Sequence, residues 1–213
     1  MPTPYEFQLE NEILQHLSDE KTISIAKLFF SQKSPSISEV VRTGVSGNTF
    51  RAFRKLPVKP SVTFRTWATN YITKTLHHLS AISDSKSYAL YVHEATNNLC
   101  AEWVRITGTE MGYGRGAKLF NLVLKKFVCL SSLSEKQRTT LIALLHIPLD
   151  SYTIIGLRKI APELKIPKSA TMKFIENSAQ YAEFQAVISI IAQKARVPPI
   201  YYDVLAWDMG HYR

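Results

Sequence analysis

The apolar residues of this 213-residue chain recur at helical spacing in segment after segment, and nowhere do they alternate with the period of a strand. That pattern restricts the chain to helix-on-helix packing, since a sheet needs alternating faces to bury. Phe7, Ile13, Leu14 and Leu17 mark one side of a first helix over residues 5–18. Ser36 opens a short capped helix, and Pro57 and Pro60 bracket a break that ends an N-terminal subregion, residues 1–58. Further helices are expected from Pro60 to about Ile82, Ser85 to Arg105, 117–128, Ser134 to Leu145, Asp150 to Ile160, Ser169 to Arg196 and Tyr202 to Met209. The expected fold is one all-α domain of roughly ten helices.

Forty-six per cent apolar residues are enough for a hydrophobic core. The 26 basic residues outnumber the 17 acidic ones, a net charge of +9, which favours an anionic partner, most commonly nucleic acid. A basic protein with no such ligand would carry the same charge. Cys100 and Cys129 are too few for a disulfide framework. The six histidines form no metal-binding motif, so no metal is expected. The N-terminus lacks the pattern of a secretory signal and no segment is apolar enough to span a bilayer, so a cytoplasmic, membrane-free protein is expected.

Four of the eight glycines fall in one turn, Gly108-Thr109-Glu110-Met111-Gly112-Tyr113-Gly114-Arg115-Gly116, directly before the helix at 117–128. Glycine lets backbone amides approach a ligand closely, and amides at a helix start suit a phosphate. Gly112, Gly114 and Gly116, with the cation of Arg115, are therefore candidate contacts to a nucleic-acid backbone. A loose surface loop would use glycine in the same way. Lys118 follows in what reads as the first turn of the helix, on a polar stripe with Asn121 and Lys125. Most helical lysines are solvated, but this helix is apolar enough to be mostly buried. Its polar stripe is then expected to line a cleft, where Lys118 is a candidate amine nucleophile.

Thirty-two residues after Lys118, Pro148-Leu149-Asp150-Ser151 starts another helix with Asp150 or Ser151 as its cap. Capping alone explains an aspartate there, yet a carboxylate fixed by backbone amides can also stabilise a positive charge developing on a sugar. Near the end, Pro198-Pro199-Ile200-Tyr201-Tyr202-Asp203 precedes Trp207, four residues after Asp203 and on the same helix face. A carboxylate beside an indole suits a flipped purine, although a cap and a core tryptophan give the same pattern.

In order and spacing, these three motifs resemble the helix–hairpin–helix superfamily of DNA glycosylases, most closely the archaeal-type 8-oxoguanine DNA glycosylases. The resemblance covers roughly residues 105–210, with the hairpin element at 105–128. It implies two helical lobes around a base-binding cleft, and a monomer acting on double-stranded DNA that carries a modified base. It makes Lys118 the nucleophile and Asp150 the catalytic carboxylate, and puts Asp203, Trp207 and Leu122 at the base. Leu122 stands where the family often has an aromatic pocket wall. Base excision with strand cleavage by β-elimination, needing no cofactor, is the implied activity. A defence enzyme excising a hypermodified phage base and a non-catalytic DNA-binding protein are the alternatives.

Overall fold

The computed structural model describes Thr3 to Tyr212 apart from Arg54, Lys55 and Pro57, so the expected break at Pro57 lies outside the described residues. Among the described residues the protein is all-α, with ten α-helices and no strand. These are α1 (Glu10–Leu17), α2 (Glu20–Ser31), α3 (Ile37–Gly44), α4 (Pro60–Ala81), α5 (Ser85–Thr107), α6 (Tyr113–Phe127), α7 (Glu135–Leu144), α8 (Ser151–Gly156), α9 (Ser178–Lys194) and α10 (Tyr201–Tyr212). Short 3₁₀ turns sit at Gly47–Phe53, Pro162–Leu164 and Met172–Phe174. None of the helices is long and apolar enough to cross a membrane.

The helix starts follow local chemistry. Asp19, Ser36, Asp84, Ser134, Asp150 and Asn177 each accept a backbone N–H with their side chain, and Pro60 occupies the first turn of α4, where a missing N–H costs nothing. One continuous core runs from Phe7 to Met209 and includes Ile13, Leu17, Phe30, Val40 and Val41 from the N-terminal subregion. Helix α6 is at its centre. It packs against α3 and α5, and buries Leu119, Phe120, Val123, Leu124 and Phe127.

Four expected boundaries are corrected, one of them the helix expected from Asp150 to Ile160, which as α8 ends at Gly156 and passes into turns. The first helix begins at Glu10 rather than residue 5, yet Phe7 in the preceding segment is still buried, its ring 6.3 Å from that of Tyr202. The long segment from Ser169 splits into a 3₁₀ turn and α9, because Asn177 caps a new start by accepting from Gln180 N–H. Helix α6 begins at Tyr113, four residues before the expected 117. Lys118 is thus its sixth residue, in the second turn, beyond the strongest reach of the helix dipole.

Candidate active site

Helix α6 carries Lys118, Leu122 and Lys125 on one face, as residues four and three apart on a helix must. Two carboxylates stand opposite. Lys118 Nζ is 3.2 Å from Asp150 Oδ2, and Lys125 Nζ is 2.6 Å from Asp203 Oδ2. The four side chains are only 4–14% exposed, so neither contact is an ordinary solvated ion pair. Asp203 senses all three neighbours. Burial raises its carboxyl above the usual aspartate value, Lys125 and Lys118 pull it back, and the charge of Asp150 pushes it up.

Asp150 divides its two oxygens between two tasks. Oδ1 caps α8, accepting from Tyr152 N–H at 2.9 Å and Thr153 N–H at 3.3 Å, while Oδ2 faces Lys118. Thr153 Oγ1 returns the bond by accepting from Asp150 N–H at 2.8 Å. Tyr202 holds the helix from α10 by donating its hydroxyl proton to the Thr153 carbonyl at 3.0 Å. The carboxylate is thereby fixed in orientation before any ligand arrives.

The Lys125–Asp203 pair lines a cleft of about 330 Å³, together with Leu122, Val204, Trp207 and Asp208 and with Ile25 and Phe29 of α2, while Lys118 and Asp150 stand behind its lining. Asp203 and Trp207, which share a helix face by their spacing, and Leu122, which the resemblance puts beside them, all line this cleft. Trp207 is 44% exposed, and its ring is held by His211, stacked parallel at 4.6 Å, and by Tyr152 at 5.0 Å. The wall from α2 is new. Lys125 Nζ sits 4.6 Å from the centre of the Phe29 ring, a cation–π contact that joins this wall to the ion pair.

The glycines do something other than what their spacing suggests. Gly114 and Gly116 are buried inside α6, and their amides already have partners: Gly114 N–H donates to Ile175 O at 3.0 Å and Gly116 N–H to Gly112 O at 3.2 Å. A Cβ on Gly114 would fall on the Met172 carbonyl oxygen and 2.6 Å from that of Ile175, and one on Gly116 would lie 3.0 Å from Cys100 Sγ. Both glycines allow close packing, so the expected grip on phosphates by their amides is corrected. Arg115 is also turned inward, donating to Met111 O at 3.2 Å with its guanidinium 5.6 Å from the Phe53 ring centre. Of this set only Gly112 is exposed, and its φ of 80° and that of Gly108, 67°, are values that favour glycine. Gly114→Ala is expected to destabilise the protein by about 2–3 kcal/mol, because backbone rather than a mobile side chain must yield. Urea unfolding measures this loss.

Asn121 is corrected too. Its side chain leaves the polar stripe for the interior, where Nδ2 donates to Ala117 O and to the Tyr181 hydroxyl, both at 2.8 Å. Among the described residues no cluster of histidine, cysteine or acidic side chains could hold a metal ion.

The chain from α7 to Asp150 is irregular and carries His146, whose imidazole burial pushes down to about 4. An unfolded histidine titrates near 6.5, so between those values the unfolded state binds more protons and stability falls as pH falls. Lowering the pH from 7 to 4.5 is expected to remove on the order of 1–3 kcal/mol, a dependence that His146→Asn removes. Urea titrations of both proteins at the two pH values give the comparison. Asp203, with its raised carboxyl acting in the opposite sense, is common to both and cancels.

No protein-family model matches the chain, and neither the curated proteins nor the solved structures give a match.

Proposed function

We infer that the protein is a DNA glycosylase with lyase activity, acting on an oxidised or otherwise modified base such as 8-oxoguanine. The observation that carries this reading is the pairing of a largely shielded Lys118 with the buried Asp150, 3.2 Å apart. An amine fixed beside a carboxylate that has its own backbone anchor is the minimum needed to displace a base from a sugar. The adjoining cleft supports the reading, with an indole face and an apolar wall for stacking and the Asp203–Lys125 pair for hydrogen bonding. The net charge of +9 suits a polyanionic substrate.

In this mechanism the duplex bends and one nucleotide swings out, its base entering the cleft between two helical lobes, against Trp207. The Lys118 amine attacks C1′ and the bond to the base breaks, the electron pair leaving with the base. Asp150 stabilises the sugar cation as the bond opens and takes up the proton lost by the attacking amine. Asp150 passes that proton to the ring oxygen as the lysine–sugar adduct opens to a Schiff base, and, again a carboxylate, takes the proton at C2′ while the 3′ phosphate leaves by β-elimination. Every group this needs is a side chain of the protein.

The test is base release from a panel of duplexes, each with a single modified base, together with borohydride trapping of the Schiff base. Release of a base with a trapped adduct is expected. Duplex binding without either, across the panel, would establish a DNA-binding protein instead.

A further inference from the structure

Lys118 and Asp150 reach the site on two separate pieces of chain, α6 and the irregular segment before α8, and both pieces are tied to the same face of α9. Tyr181 and Gln185, one turn apart on α9, make the ties. The Tyr181 hydroxyl accepts from Asn121 Nδ2 of α6 at 2.8 Å and lies 3.0 Å from His146 Nδ1. Having accepted from Asn121, it has one proton left, and His146 Nδ1 is the acceptor in reach. Gln185 grips the next residue along. Its Oε1 accepts from Ile147 N–H at 2.9 Å and its Nε2 donates to Ile147 O at 3.0 Å. Three residues further on is Asp150.

We propose that Tyr181 and Gln185 are positioning residues that set the distance between Lys118 and Asp150 by fastening α6 and the 146–150 segment to one helix. Both side chains are buried and fully engaged in these bonds, so they act without touching substrate. Asn121 is three residues from Lys118 and four from Lys125, which makes its bond to Tyr181 a control on the rotation of α6. A rotation of about 10° displaces a group at the helix surface, roughly 6 Å from the axis, by about 1 Å. Misplacement on that scale lowers a rate by as much as about 10²-fold.

The test removes single atoms and reads the lysine directly. Trace labelling of the full-length protein with acetic anhydride, followed by mass spectrometry, compares Lys118 with the exposed Lys86 and with Lys125, which is paired elsewhere. In Tyr181→Phe the Lys118 rate is expected to change severalfold relative to Lys86, and Lys125, carried on the same helix, is expected to shift with it. Gln185→Glu, which loses the donor to Ile147 O, moves the partner of Lys118 and leaves α6 in place, so it is expected to change the Lys118 rate with Lys125 unmoved, and it carries the test if Tyr181→Phe does not fold. Single-turnover base release is expected to drop at least tenfold with duplex affinity unchanged. This second measurement rests on the glycosylase reading, whereas the labelling does not. Absence of base release by the wild type would sink that reading and leave the labelling decisive. An unchanged Lys118 rate in the folded variants, or an equal change at Lys118 and Lys125 in Gln185→Glu, overturns the proposal.

Discussion

Replacing Lys118 with alanine is expected to abolish the borohydride-trapped adduct and to lower base release by about 10³-fold or more, the scale seen when a nucleophile is removed. Duplex affinity should survive, because binding relies on the net positive charge and on the cleft rather than on this one amine. The fold should survive as well. Asp150 loses its partner but keeps the Tyr152 and Thr153 amides, so its charge is not left unsatisfied. Trapping, gel-shift titration and thermal unfolding on one preparation separate the three consequences. Persistent trapping in Lys118→Ala would move the nucleophile to another amine.

Asp150 gives the second large effect, and two substitutions divide it. Asp150→Ala removes the cap of α8 as well as the carboxylate, so a stability loss of about 1–2 kcal/mol is expected together with a fall in rate of about 10²–10⁴-fold. Asp150→Asn keeps a side-chain oxygen that can cap the same helix start, and its stability should be close to that of the wild type. Its rate should still collapse, because a neutral amide neither stabilises the sugar cation nor takes a proton. Urea unfolding and single-turnover base release, measured on both variants, show which loss belongs to the cap. Full activity in Asp150→Asn would reduce this residue to a structural role.

The all-α class and most helix starts are legible in the sequence because they depend on local signals, periodicity and caps. Helix α2 is the element that local signals hide. It is rich in β-branched residues, with Thr22, Ile23 and Ile25 in its first half, which lowers its helix propensity, and burial of Thr22, Ala26 and Phe30 compensates. Only the capping Asp19 marks its start. Without α2 the sequence gives no hint that Phe29 and Ile25 form a cleft wall. The start of α6 is misplaced for a related reason, since glycine is a poor helix former and Gly114 and Gly116 suggest a turn. Contact with the 172–175 segment and with α5 outweighs that preference; the first uses the Gly114 amide, and the helix start itself uses that of Gly116.

At the site, legibility follows spacing along a single helix. Lys118, Leu122 and Lys125 share a face by helix geometry, and Asp203 and Trp207 do so on α10. The pairing of each lysine with its own aspartate is not legible, because it depends on how α6, α8 and α10 pack. Lys125 illustrates this. Its position on the stripe was evident from the sequence, but its partner, 78 residues away, was not.

The wall supplied by α2 comes from a part of the chain about ninety residues before Lys118 and faces the cleft through Ile25 and Phe29. In the proposed glycosylase, part of what selects the base is thus encoded far from the residues that react with it. Mutations in α2 can reshape what the cleft accepts while Lys118, Asp150 and their anchors stay intact. A library confined to Ile25 and Phe29 would explore new substrates with the chemistry held constant.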